Sequence, residues 1–263
     1  MAVVASRHVP RKRFGQHFLV DRDIIARLIA AIGPRSSDHI VEIGPGLGAL
    51  TDPLLERVQH LHAVELDRDL CRRLRERYPE ERLTVHQADV LHFDFAALPA
   101  PLRIVGNLPY NISTPVLFHI AATADRCTDL HFMLQQEVVE RMVANPSEPE
   151  YGRLSVMLQY RFRAERLFEV PPAAFRPQPK IHSAVVRLVP RPESDLDCLD
   201  EALLSKVVAK GFSMRRKTVR NSLSEFISAA EISGLGIDPG RRAETFPVAT
   251  FVTIVNWLAR RAN

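Results

Sequence analysis

Asn107-Leu108-Pro109-Tyr110 brings together the residue types that can hold the amino group of a base. An asparagine side-chain oxygen accepts from an exocyclic amine, and a neighbouring tyrosine can stack on the heterocycle. The adenine amine is a poor nucleophile because its lone pair is delocalised into the ring. Accepting both of its hydrogens, on the Asn107 oxygen and a backbone carbonyl near Leu108, favours a pyramidal nitrogen aimed at an incoming methyl. Pro109 has no N–H and stiffens the loop. Such chemistry is mainly orientation and hydrogen bonding, with no obligatory side-chain base. A base inside a duplex is out of reach, so the target must be flipped or already unpaired.

The second chemical feature is the turn Glu42-Ile43-Gly44-Pro45-Gly46-Leu47-Gly48. Glycines at a strand end let the backbone approach a ligand and open onto a helix. Gly44, Gly46 and Ala49 also fit the dinucleotide pattern G-x-G-x-x-G/A, and Glu65 stands where an acid would bind a ribose, so a nicotinamide dehydrogenase competes on this motif alone. The surroundings decide against it. Glu42, just before the turn, Glu65 and Asp89 stand at or just past the ends of three successive strand-like runs, and in a parallel sheet such ends share one crevice. Carboxylates match a pyrophosphate poorly and a sulfonium well. Glu65 can accept both ribose hydroxyls and Asp89 an adenine amine. The two motifs together predict an S-adenosylmethionine-dependent methyltransferase acting on adenine.

These motifs need a scaffold, and the hydrophobic pattern supplies one. Ile24, Ile25, Leu28, Ile29 and Ile32 recur at helical spacing after a cap at Asp21 or Asp23, and Gly33-Pro34 ends that helix. Strands are expected at 39–43, 61–64, 83–85, 104–105 and 130–134, with helices through 54–58, after Asp67, from Ser113-Thr114-Pro115 and over 137–144. Strand–helix alternation makes a mostly parallel sheet covered on both faces. The runs 166–170 and 184–189 close it as a hairpin-like pair, giving a seven-stranded, α/β, Rossmann-like sheet. Beyond Pro190-Arg191-Pro192 only helical patterns follow, at 203–208, 219–227 and 251–258. The expected domains are therefore 1–192, catalytic, and 193–263, small and all-helical.

At 263 residues, with 46% hydrophobic and 25% charged residues, the chain has the balance of a soluble globular protein. No apolar run approaches the roughly 18 residues a membrane span needs, and the start of the chain is too short in apolar residues for a secretory signal. Cys71, Cys127 and Cys198 make neither a disulfide framework nor a zinc site, which predicts buried thiols and a reducing cytoplasm. No metal is expected. The net charge of +4 is uneven. Arg11, Lys12 and Arg13 crowd one end, and Arg215, Arg216, Lys217 and Arg220 a later segment, with Lys206 and Lys210 nearby. Paired basic clusters around a catalytic domain favour a nucleic acid. No coiled-coil heptads are present, and a monomer is expected.

With these residues in view, the chain resembles the bacterial small-subunit ribosomal RNA adenine dimethyltransferases, relatives of the macrolide-resistance enzymes that act on large-subunit RNA. The resemblance is carried by 13–19, 41–51, Glu65-Leu66-Asp67, 106–115, 151–156, 170–188 and 215–223, the last favouring the small-subunit branch. It implies a class I methyltransferase fold and S-adenosylmethionine contacts at His17, Leu19, Gly44, Glu65, Asp89 and Asn107. His17 stands where relatives often carry asparagine. It also implies that Phe175 stacks opposite Tyr110, although the sequence by itself reads Phe175 as core. The implied reaction is dimethylation of two adjacent adenosines in the 3′-terminal hairpin of 16S rRNA, within an immature 30S subunit. The alternatives are a resistance-type methyltransferase for large-subunit RNA and a ribosome-assembly factor acting mainly by RNA binding.

Overall fold

The computed structural model describes residues 17–214 and 216–262, without the Ala262 side chain. Arg11, Lys12, Arg13 and Arg215 lie outside the described residues. The first helix, α1 (Arg22–Ile32), shows how local chemistry sets the elements. Asp21 accepts from the Asp23 and Ile24 N–H groups and caps it, so the cap is Asp21 rather than Asp23. Gly33 ends it in the left-handed conformation, donating to the Ile29 carbonyl. Ile24, Leu28, Ile29 and Ile32 form its buried stripe.

Alternation follows as expected. The strands are β2 (His39–Ile43), β3 (Leu61–Glu65), β4 (Leu83–Gln87), β5 (Leu102–Asn107) and β6 (Cys127–Gln135), preceded by the short β1 (Phe18–Leu19). Between them run α2 (Thr51–Leu55), α3 (Arg68–Arg77), capped by Asp67, and α4 (Ser113–Ala121), followed by α5 (Gln136–Val143). Helix α2 is shorter than the pattern through Val58 suggested. The sequence pattern also passed over α6 (Arg153–Arg161), which leads into β7 (Phe162–Val170). Then come β8 (Phe175–Arg176) and β9 (Ser183–Pro190).

The main sheet has seven strands in the order β4-β3-β2-β5-β6-β9-β7, and the four neighbour pairings from β4 to β6 are parallel. The crossovers therefore bring the carboxyl ends of β2, β3, β4 and β5 to one edge. Inside β5, Gly106 pairs with Ile43 so closely that an added Cβ would stand 2.5 Å from the Ile43 carbonyl oxygen. Only glycine fits there, and it directly precedes Asn107. At the opposite ends of the strands, Arg103 forks onto Asp129 through two 2.8 Å bonds and reaches Asp38 at 2.6 Å. It also donates to the Ile32 and Gly33 carbonyls, so a nearly buried cation ties β5, β6 and the end of α1. A separate two-stranded pairing joins β1 to β8 antiparallel, setting Leu19 opposite Phe175.

By internal contacts the chain forms two compact units, Met1–Gln136 with Leu167–Arg187, and Glu137–Arg166 with Leu188–Asn263. This grouping puts most of α5 and all of α6 with the C-terminal helices α7 (Glu201–Phe212), α8 (Val219–Ser222), α9 (Ala229–Gly234) and α10 (Val248–Ala262). It follows packing, whereas the expected cut at 192/193 followed the end of the β-prone runs. The second unit has its own core, with Tyr151, Val156 and Tyr160 clustering with Leu204, Val208, Leu223 and Phe251. Among the described residues no helix is long and apolar enough to cross a membrane.

Candidate active site

One cavity of about 290 Å³ lies in the first unit at the carboxyl edge of the sheet. His17, Leu19, Gly44, Glu65, Asp89 and Asn107 all line it, as do Leu108 and Tyr110. Their convergence is a consequence of topology. Parallel β2, β3 and β5 end there in Glu42-Ile43, Glu65 and Asn107, and β1 adds Leu19, with His17 just before it. Gly44 and Gly46 hold φ of +66° and +59°, a region costly for other residues. A Cβ on Gly46 would also press the Phe18 ring at 3.1 Å. The glycine turn is thus folded back under β1.

Glu65 is buried, and its two oxygens accept from the Asp67 N–H at 2.9 Å and the Gly46 N–H at 3.2 Å. Burial raises its carboxyl above the ordinary range against these two bonds. A carboxylate has about four acceptor positions, so Glu65 keeps capacity for a further donor beyond its backbone bonds. Glu42 is buried deeper and accepts from the Thr51 hydroxyl at 2.6 Å. Burial pushes it up to about 8 despite that bond, and the nearby Glu65 charge adds to the rise. Asp89 caps the short helical turn 90–92 by accepting from the Leu91 N–H at 3.0 Å.

Asn107 donates from its side-chain nitrogen to the His17 carbonyl at 3.1 Å. This bond fixes the amide, and among the described residues its side-chain oxygen takes no hydrogen bond. The following loop is rigid. The Leu108 N–H donates to the Met133 carbonyl, the Ile112 N–H to the Pro109 carbonyl, and the Ser113 hydroxyl to the Pro109 carbonyl. Tyr110 is half-buried, its ring stacked with His17 at 5.6 Å and 25°. The His17 ring is itself held by its Nδ1–H donating to the Pro177 carbonyl at 2.7 Å.

Phe175 departs from the role the resemblance implied. It is fully buried, packs in the core with Leu19, Ala174 and Val185, and does not line the cavity. Its pairing with β1 accounts for this, because Leu19 opposite it is buried in the same cluster. Sequence reasoning passed over Leu66 and Val90, apolar lining residues that directly follow the acids Glu65 and Asp89. The residue after each strand-end acid was the available signal. Arg216, Lys217 and Arg220 are exposed in the second unit.

Among the described residues the lining holds three acidic side chains, Glu42, Glu65 and Asp89, and no lysine or arginine. A pyrophosphate would meet acidic side chains with no lysine or arginine among those residues to balance it, whereas paired hydroxyls, an amine and a cation would each find acceptors. The donor set fits S-adenosylmethionine.

The comparisons agree with this geometry. Residues 7–260 match the family described as ribosomal RNA adenine dimethylase. The ribosomal RNA small subunit methyltransferase A of Aromatoleum aromaticum is 60% identical over 257 residues, covering 98% of this chain and 97% of that protein. Among solved structures, a dimethyladenosine transferase from Plasmodium falciparum has the same fold, with a TM-score of 0.80 at 23% identity over 94% of this chain and 98% of that one. The 23S rRNA methyltransferase ErmE follows at 0.72 and 26% identity, covering 92% and 99%. The sheet is thus a Rossmann-like class I methyltransferase fold with a C-terminal helical part, its methyl donor is S-adenosylmethionine, and the chain belongs to the ribosomal RNA adenine dimethylase family.

Proposed function

We propose that this chain dimethylates N6 of two adjacent adenosines in the 3′-terminal hairpin of 16S rRNA, on an immature 30S subunit. It would act as a cytoplasmic monomer, with residues 1–192 catalytic and 193–263 docking the particle. The observation that carries the chemistry is the Asn107 amide, held by its nitrogen and lining the acidic cavity. The 60% identity to a small-subunit methyltransferase, against 26% to ErmE, favours the small-subunit target.

When bound, S-adenosylmethionine supplies an electrophilic methyl carbon. The chain's own residues supply position. Glu65 accepts ribose hydroxyls, Asp89 the cofactor's adenine amine, and Leu66 and Val90 give apolar walls for its ring. Asn107 and the Leu108 carbonyl accept the two hydrogens of the target amine, and Tyr110 stacks on the target base. Exposed Arg216, Lys217 and Arg220 contact phosphates of the RNA.

The test is methylation with labelled cofactor of immature small subunits and, in a parallel reaction, of protein-free 23S rRNA, both from a strain lacking the modification, followed by mass spectrometry of each rRNA. Label on two adjacent adenosines of 16S rRNA is expected. Label on 23S rRNA would establish the resistance-type reading, and binding without label the assembly-factor reading.

A further inference from the structure

Ser183, at the start of β9, is fully buried, and its hydroxyl shares a 2.7 Å hydrogen bond with the Tyr110 hydroxyl. The bond links residues 73 positions apart. It exists because the chain before β9 is pinned, with the His182 carbonyl accepting from the Gln136 N–H at the end of β6. Tyr110 is thereby fixed at both ends. Its backbone sits in the loop locked by Ser113, and its phenol is anchored by Ser183. His17 covers one face of the ring.

We infer that Ser183 is a positioning residue for the methyl transfer: its hydroxyl sets the plane of the Tyr110 ring before the target base arrives. The inference rests on the proposed stacking of the target adenine on Tyr110. A ring tied at its far end cannot swing out of the mouth, so a base stacking on it is delivered at a defined height against Asn107. Ser183 touches no substrate and acts only through Tyr110. Burial of a hydroxyl with a single side-chain partner also explains why serine suits this place, since an unmatched one would be costly.

The experiment is a double-mutant cycle on the full-length chain, with Ser183→Ala, Tyr110→Phe and the double variant. Turnover and KM are measured on undermethylated small subunits, and cofactor affinity by calorimetry. Each single substitution removes the same bond and is expected to lower kcat about three- to ten-fold, with cofactor Kd unchanged. The double variant should be no slower than the slower single. Losses that multiply, or full turnover in Tyr110→Phe, would overturn the proposal. If Ser183→Ala is insoluble, Ser183→Cys takes its place in the cycle, keeping the volume with a weaker hydrogen-bonding group. Wild-type turnover on the same subunits tests the activity itself, so failure of that reading is distinct from failure of the cycle.

Discussion

At the scale of single residues, the role proposed for Asn107 would separate binding from turnover. Its nitrogen is committed to the His17 carbonyl and its oxygen remains for a substrate amine. Asn107→Ala should lower kcat by about 10²–10³, the cost of losing one preorganised hydrogen-bonding group, while cofactor affinity measured calorimetrically stays within a few-fold. Normal dimethylation by this variant would end the orientation role. Glu65→Ala should act in the opposite sense, raising cofactor Kd by about ten- to a hundred-fold as charge-assisted hydrogen bonds are lost. Glu42 gives a pH signature. Its folded value of about 8 lies above the ordinary carboxylate value of 4.5, so the fold prefers it protonated. The associated stability is present in full below pH 4.5 and is lost as pH rises towards 8. Glu42→Gln should therefore raise the melting temperature of cofactor-free protein at pH 8 and flatten its fall between pH 4.5 and 8. Equal slopes in the two proteins would show that Glu42 does not titrate there.

At the scale of elements, the decisive contact is between β2 and β5. Gly106 has no room for a methyl against the Ile43 carbonyl, and that closeness puts Asn107 beside Gly44, where a Cβ would meet the Asn107 carbonyl oxygen at 3.7 Å. Gly106→Ala must push the strands apart. Overpacking of this kind costs about 1–3 kcal/mol, so thermal unfolding should shift down and turnover fall more than cofactor affinity. Unchanged melting and turnover would mean the sheet yields there without moving Asn107. Arg103 stabilises the other end of the same strands, where β5, β6 and α1 meet. The sheet is thus braced at its amino ends by a buried cation and left open at its carboxyl ends by glycines.

At the scale of the whole molecule, the acidic cavity and the basic surface belong to different compact units. Under the proposed docking role, RNA binding can then be altered without changing a residue that lines the cavity. Neutralising Arg216, Lys217 and Arg220 should weaken binding to small subunits and reduce the slope of log affinity against log salt by about 2. Cofactor Kd should stay the same. An unaltered salt slope would make the cluster a solvated face with no part in docking.

The sequence by itself determined the alternating strands and helices, because hydrophobic period, caps and glycine breaks are local properties. It also marked Asn107, Glu65 and Asp89, at or just past strand ends, as residues that the structure brings to one cavity. It did not reveal α6 or the β1–β8 pairing: α6 is weakly amphipathic, and two-residue strands have no readable period. The residue pattern read Phe175 as core, against the role the resemblance implied, whereas the Ser183 contact and the strand that Phe175 faces were decided by tertiary structure. Phe175 was drawn into the core opposite Leu19, and Ser183 was brought to Tyr110 across most of a domain. Contacts between segments far apart in the chain are set by strand order and register, and no local pattern encodes which distant side chain will meet which.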